Sequence, residues 1–463
     1  MRYFIWFSIL FSLLNSTTQI PKDPVPPNII FILADDLGWS SLSEQMDPKI
    51  SDSKSDFHLT PNLDQLMKSG VRFTQGYAPA SICSPTRRSI LFGHTPMRQD
   101  DETFGSRYEP GKNSYLTIPQ VLKKINPEYV TAHFGKWDLR IGVPPGAFGY
   151  DFSDGDNGNA QGNSSNNGDE KWTTFFTEDN PKQIDTLTNR TKRFISEQVH
   201  NKNPFFIQLS HYATHANTTA RKETIARFEK LTKGKKHPNV AWAAMLADLD
   251  ASIGDLMAHL DQLGARKNTY LFFMSDNGGV EFIAPVKNRL DHPDSFPSPM
   301  RNAPLRGGKW TLFEGGIRVP FFVSGPDIPA NTSSNRYVTG YDLLATFADI
   351  AGSKQPNSFS LDGNSFKASL SNPKTTSDSR NLYFHRFNNG YPHSAVRSGD
   401  YKLLKFWKTG EILLFNLNDD PGEKKNLATV NPEKVKSLNN ALDSYFKEVN
   451  PALFNQLSTL TSK

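Results

Sequence analysis

The sequence predicts an α/β fold: a large mixed, mainly parallel sheet flanked by helices, followed by a smaller C-terminal antiparallel sheet with a helix. Three observations carry this. Short continuous apolar runs recur up to about residue 352, and several end in polar, chemistry-bearing residues. Helix-patterned segments alternate with them, as in a parallel sheet with crossover helices. Beyond residue 352 the texture changes to loop-like stretches, turn-joined strands and one closing amphipathic segment.

The elements follow in order. "MRYFIWFSILFSLLNSTTQ" has one Arg, an apolar core and small polar residues, which predicts a signal peptide over residues 1–20. The core is short for a membrane span, and without an A-x-A site a retained anchor is the alternative. "IPKDPVPPN" is an extended lead-in. "NIIFILADDLGW" is a buried strand ending in Asp35 and Asp36. "TPNLDQLMKSG" is a helix with Thr60 at the N-cap, Pro61 at N1 and Gly70 at the C-cap. "SYLTIPQVLKKI" is a second helix if Pro119 lies in its first turn. "YVTAHFGKWDLR" is a strand that turns at Gly-Lys-Trp, and "PFFIQLSHYATH" is a strand running into His211 and His215. Between them, residues 154–170 are Asn/Gly/Asp-rich and read as a surface loop. "NVAWAAMLADLDASIGDLMAHLDQLG" is a long amphipathic helix closed by Gly264, and "TYLFFMSDNGG" is a strand ending in Asp276 and Asn277. "VPFFVSGP" is another short strand. "NLYFHRF", "SAVRSGDYKLLKFW" and "EILLFNL" predict the antiparallel strands, and "PEKVKSLNNALDSYFKEV" the closing helix. The expected division is 26–352 for the main domain and 353–463 for the smaller one. No internal repeat is visible.

The chain is long enough for this pair of units. Its net charge of +5 suits an anionic substrate, while no basic run or nucleic-acid motif is present. Cys83 is the single cysteine among 463 residues, so no internal disulfide can form. In an exported chain an odd cysteine points to a reactive or modified group, against the plainer reading of a small core residue.

In an open parallel sheet, ligands bind beyond the carboxyl ends of the strands. Asp35, Asp36, Lys136, His211, His215, Asp276 and Asn277 all fall there by pattern. Asp35, Asp36, Asp276 and Asn277 offer oxygen ligands only, which suits Ca²⁺ or Mg²⁺; each pair alone reads as a polar turn. Arg87 follows Cys83 on a helix expected to begin near Pro85, whose N-terminus favours an anion or a reactive thiol. Arg87 and Arg88 could otherwise be a solvated pair. Lys136 and Lys309 each lie between Gly and Trp, and a lysine can hold a tetrahedral oxyanion. A His at this place can protonate a leaving alcohol; zinc on the His pair ranks lower for want of soft ligands.

"CSPTRRSILFGHTPMR" resembles the C-x-P-x-R signature of type I sulfatases, of the alkaline phosphatase-like superfamily. "NIIFILADDLGW", "FGKWDLR", "HYATH", "SDNGG", "PLRGGKWTLFEGGIRVP", "AVRSGDYKLL" and "LFNLNDDPGEKKNLA" resemble the family's other motifs in chain order, over nearly the whole mature chain. The resemblance implies that a formylglycine-generating enzyme oxidises Cys83 to formylglycine (3-oxoalanine), hydrated to a gem-diol. It implies Ca²⁺, with Mg²⁺ less expected, on Asp35, Asp36, Asp276, Asn277 and modified residue 83. Arg87 would steady the hydrate, one hydroxyl would attack sulfur, and Lys136 and Lys309 would neutralise sulfate oxygens. His215, assisted by Lys309, would protonate the leaving alcohol; the sulfo-enzyme would then eliminate sulfate. One position departs from the pattern: the family usually has G-K-W-H, and here the last residue is Asp138. The expectations are a working base lifted by burial, replacement by His133, or slow turnover.

The expected substrate is a sulfated carbohydrate, met outside the cell or in the periplasm, with no membrane span in the mature protein. Its readers are expected in segments 98–112, the loop near 160, 281–301 and 385–389, with Arg98, His211 and His385 as the named substrate-binding residues. The alternatives are a phosphate-ester or phosphonate hydrolase, and a non-catalytic glycan binder. Sequons stand at Asn163, Asn189, Asn217 and Asn331; a glycan on Asn217 would crowd His215.

Overall fold

The computed structural model describes residues 26–99, 115–162, 175–281, 302–355, 361–375, 380–387 and 390–460. The expected signal peptide, Asn163, and most of the segments 98–112 and 281–301 lie outside the described residues. Among the described residues, no helix is long and apolar enough to cross a membrane.

The strands are β1 (Asn28–Ala34), β2 (Val71–Tyr77), β3 (Val130–Gly135), β4 (Phe152–Ser153), β5 (Phe175–Thr177), β6 (Phe205–Ser210), β7 (Thr218–Ala220), β8 (Thr269–Ser275), β9 (Phe321–Ser324) and β10 (Thr332–Thr339). Eight of them form one sheet in the order β10-β2-β9-β8-β1-β6-β3-β4, and β5 pairs β7 separately. Within the large sheet only β9 runs antiparallel to its neighbours. The central strands are apolar on both faces because both faces are covered. In β1, Ile30 and Ile32 face one core with the helices Pro61–Lys68, Ile184–Asn201 and Val240–Gln262. Ile29, Phe31 and Leu33 face the other, with the helices Cys83–Phe92, Ile118–Ile125 and Leu343–Ile350.

The remaining strands, β11 (Asn381–Arg386), β12 (His393–Ser398), β13 (Tyr401–Phe406) and β14 (Ile412–Asn416), form an antiparallel sheet in chain order. Val396, Leu403 and Leu414 pack under the helices Pro432–Val449 and Pro451–Ser458. Leu382, Phe384, Ala395 and Leu404 pack against Leu312, Phe313 and Ile317 of the main unit.

Local signals explain the details. Pro119 lies in the first turn of its helix, and Thr117 with Gln120 forms a capping box, so the proline starts the helix instead of breaking it. The first helix ends at Ser69, one residue before the expected Gly70 cap. The cysteine helix starts at Cys83, not near Pro85, and ends at left-handed Gly93.

Candidate active site

β8, β1, β6 and β3 are adjacent and parallel, so their carboxyl ends open onto one edge. The residues just beyond those ends are Asp276 and Asn277, Asp35 and Asp36, the His211–His215 segment, and Lys136. β2 has the same direction and leads into the Cys83 helix. β9 runs the other way, so the loop that enters it, carrying Lys309, arrives at the same edge. Gly135 allows the sharp exit from β3: its φ is +90°, and a Cβ there would come within 2.0 Å of the Ser210 carbonyl oxygen.

The pocket is a dense array of opposite charges. Cys83 Sγ lies 3.3 Å from Asp35 Oδ1, 3.9 Å from Asp36 Oδ1 and 3.5 Å from Lys309 Nζ. Lys136 Nζ donates to Asp35 Oδ2 at 2.6 Å, and Lys309 Nζ to Asp36 Oδ2 at 2.8 Å. Arg87 donates from Nε and Nη2 to Asp276 Oδ2, at 3.1 and 2.8 Å, and from Nη1 to the Lys136 carbonyl at 2.6 Å. His215 Nε2 stands 3.8 Å from Asp36 Oδ2. Its Nδ1 is 2.6 Å from the Ala216 carbonyl oxygen. A carbonyl can only accept, so Nδ1 carries the proton and Nε2 of the neutral ring is bare.

Burial and charge set the protonation states. Burial raises the Asp35 carboxyl, but Lys136, His215, Arg87 and Lys309 outweigh it and hold it well below the usual carboxylate range. Asp276 is pushed up to about 7 by burial and by Asp35. Lys136 and Lys309 lose some basicity to burial, and the carboxylates more than restore it, so both stay charged. His215 is lowered to about 3 by burial and by Lys309. Burial, Asp276 and Asp35 push the Cys83 thiol well up. The helix start therefore does not make this thiol reactive, because the thiolate is the nucleophilic form.

The donor set fits a hard cation. Oxygens of Asp35, Asp36 and Asp276 and Sγ of Cys83 all lie within 4.8 Å of one another. Asn277 donates from Nδ2 to Asp36 Oδ1 at 2.7 Å, while its Oδ1 is buried with no hydrogen-bond partner. Buried polar atoms are normally satisfied, and a bare amide oxygen beside three carboxylates suits an oxygen-preferring ion.

Asp138 does not behave as a base lifted by burial. Its Oδ1 accepts from Arg140 Nε at 3.1 Å, and its Oδ2 is 3.4 Å from Lys136 Nζ. Burial raises the carboxyl, but Lys136, Arg140 and Arg87 outweigh it and the net direction is down. His133 is no replacement: its Nε2 lies 3.3 Å from Ser210 Oγ, and its ring packs on Trp137 and Tyr150 inside the core.

None of the three expected substrate readers has a described side-chain contact to the carboxylate cluster. His211 is buried, with no described contact to the carboxylate cluster, and burial lowers it to about 4. It also stays outside the ligand groups that include His215, so the two histidines form no zinc pair. Arg98 is forked onto Asp362, with Nε at 3.0 Å and Nη2 at 2.6 Å. His385 bonds Ser394 Oγ at 2.9 Å and packs edge-on against Phe446, inside the C-terminal sheet and helix. Its neighbour Arg386 is the one that reaches the lysine loop, donating to the Trp310 carbonyl at 3.2 Å. Arg88 is buried and donates to the Leu139 carbonyl at 2.9 Å, so it is not solvated. Asn217 is fully buried, which leaves no room for a glycan on the folded chain.

Sequence reasoning missed three residues near the site. Asn157 accepts from Trp137 N through its side chain and from Asp138 N through its carbonyl, both at 2.8 Å. Arg140 lay within the quoted lysine motif but reads alone as a surface charge. Lys182 is buried, donates to the Gly162 carbonyl at 2.9 Å, and is lowered to about 7 by burial. Nothing in "DNPKQ" signals that.

Residues 27–353 match the family described as sulfatase, and residues 308–451 match the C-terminal region of N-sulphoglucosamine sulphohydrolase. The chain belongs to the sulfatase family. As a sulfatase it is a sulfuric-ester hydrolase with the alkaline phosphatase-like fold. Bovine (Bos taurus) arylsulfatase A is 30% identical, over 87% of this chain and 83% of its own. A sulfatase of Formosa agariphila is 27% identical, over 93% of this chain and 90% of its own. The solved structure of Ps i-CgsB in complex with k-i-k-neocarrahexaose has a TM-score of 0.72 and 25% identity, covering 91% of this sulfatase and 93% of that chain.

Proposed function

We propose that this sulfatase is an exported, calcium-dependent enzyme that removes sulfate from a sulfated carbohydrate, with Cys83 matured to formylglycine. The observation that carries the reading is the convergence of Cys83 with three carboxylates, two lysines and His215 in one buried pocket. The thiol there is poorly ionised, which favours a precursor over a thiol nucleophile. Asp35, Asp36, Asp276, Asn277 and residue 83 would hold Ca²⁺. The ion and the hydrated aldehyde would supply charge neutralisation at the sulfate and a hydroxyl nucleophile.

The chain's own residues do the rest. Lys136 and Lys309 bind sulfate oxygens as fixed cations in a water-poor pocket, which favours the charge that builds up in the transition state. Arg87 orients residue 83 by clamping Asp276 and the Lys136 carbonyl at once. Lys309 and His215 converge on Asp36 Oδ2, at 2.8 and 3.8 Å. Together they serve the leaving oxygen: the unprotonated Nε2 of His215 would take up the proton given up by the attacking hydroxyl of residue 83 and pass it to the leaving oxygen, with Lys309 as the fixed charge beside it. Asp138 holds Lys136 and Arg140 in place. The substrate class draws on the carbohydrate named with the solved relative and on the net charge of +5. We further propose residues 26–352 as the catalytic unit, 353–463 as the C-terminal unit, and a formylglycine-generating enzyme as the maturation partner.

The test is the mass of the tryptic peptide Phe73–Arg87 from protein made with a formylglycine-generating enzyme. The expected result is a loss matching thiol to aldehyde, together with sulfate release from sulfated oligosaccharides. An intact thiol, in a host that converts a control sulfatase, would overturn the maturation step.

A further inference from the structure

Two arginines, Arg87 and Arg98, each engage one carboxylate through two nitrogens. Arg87 engages with Nε and both terminal nitrogens, and Arg98 engages Asp362 with Nε and Nη2. Those are the bidentate contacts a structural arginine makes. Arg140 differs. It touches Asp138 Oδ1 through Nε alone, at 3.1 Å, and no other hydrogen bond reaches it among the described residues. Its side chain is 47% exposed. The fork of Nη1 and Nη2 thus has no hydrogen-bond partner among the described residues, on a side chain that is half in solvent.

Its position is built. Asp138 and Arg140 both have left-handed backbones, with φ of 49° and 55°, a conformation that costs non-glycine residues energy. Asn157 pins the turn from below through Trp137 N and Asp138 N. Gly158 lies beside the Asp138 carboxylate, where a Cβ would come 3.7 Å from Oδ1. The order Lys136, Asp138, Arg140 is a line of alternating charge. It starts at the lysine on Asp35 and ends half in solvent.

We propose that Arg140 is a specificity residue whose free guanidinium fork binds a second anionic group, a carboxylate or a further sulfate ester, beside the sulfate being removed. The proposal rests on the carbohydrate-sulfatase reading. It also gives Asp138 a role: this residue anchors the arginine while its other oxygen faces Lys136.

The test uses pairs of sulfated oligosaccharides that differ by one neighbouring group: neutral, carboxylate or second sulfate. The quantity is kcat/KM on the doubly charged sugar divided by that on the singly charged one. The mature enzyme is expected to prefer a doubly charged sugar, and the arm that shows it identifies the group. Arg140→Gln should cut that ratio by about tenfold or more, the size of one charge-assisted contact, mainly through KM. Arg140→Lys should restore part of it. A ratio unmoved by Arg140→Gln overturns the proposal. If the mature enzyme releases sulfate from none of the sugars, the carbohydrate reading fails separately. Calorimetry of the same pairs on Cys83→Ala protein, with and without Arg140→Gln, then decides: affinities indifferent to the second charge in both proteins overturn the Arg140 role.

Discussion

Asp138 shows how one side chain is set by its neighbours. The residue type allows a base, but a carboxylate held between Lys136 and Arg140 stays ionised and occupied. Asp138→Asn keeps the shape and removes the charge. It should lower kcat by roughly tenfold, because Lys136 and Arg140 lose their shared anchor, while the pH profile keeps its shape. A shifted acid limb in steady-state rates would restore the base role. Lys309→Met should be more severe, about a hundredfold or more in kcat, since it removes both a sulfate contact and the proton partner of His215. Single-turnover sulfate release measures it.

At the scale of elements, two close fits position the site. Gly278 sits against the Gly315 carbonyl, where a Cβ would come within 1.8 Å of the oxygen. This contact locks the Asp276–Asn277 turn onto the loop that carries Lys309. Gly278→Ala should cost about 1–3 kcal/mol by thermal unfolding, and weaken binding of the proposed Ca²⁺ by calorimetry. The second fit lies just after the Cys83 helix, where Arg98 and Thr95 N converge on Asp362. Burial raises the Asp362 carboxyl, but His94 and Arg98 outweigh it and hold it well below the usual range. A depressed carboxylate stabilises the fold above its unfolded pKa of about 3.9 and loses that contribution as pH falls toward the folded value. Asp362→Asn should therefore lower Tm at neutral pH and flatten its decline below about pH 4. An unchanged slope there would refute the assignment.

For the whole molecule, the C-terminal sheet is part of the pocket's support. Lys402 Nζ lies 2.9 Å from Glu314 and 3.0 Å from Glu423, and all three are fully buried. Glu314 sits in the Lys309 segment, and Lys402 lies on β13. Glu423 also accepts from Glu314 N at 2.6 Å. Lys402→Met leaves Glu423 buried without its cation and Glu314 with only the more distant Arg318, at 3.7 Å. It should cost about 3–5 kcal/mol in denaturant unfolding, with activity lost in step. Retained stability would mean that the apolar contacts of Leu312 and Phe313 suffice.

The sequence by itself determined the alternation of strands and helices, the antiparallel C-terminal sheet, and the residues that line the pocket. Period, caps and apolar runs are local signals, and the carboxyl-end rule turns them into a site. Lys136, His215, Lys309 and the Asp/Asn set were legible because each follows an apolar run or sits in a glycine-flanked turn, and Cys83 and Arg87 through the C-x-P-x-R resemblance. Strands β2 and β10 and the helix Ile184–Asn201 were not, since their polar residues blur the pattern and sheet pairing decides them. Only the tertiary structure decided which charges meet. It put His211 and His385 in the core, spent Arg98 on Asp362, and left the fork of Arg140 open. Folding sets these outcomes, because a charge's role depends on which partners and how much solvent the fold brings to it, as with Arg98 and Asp362.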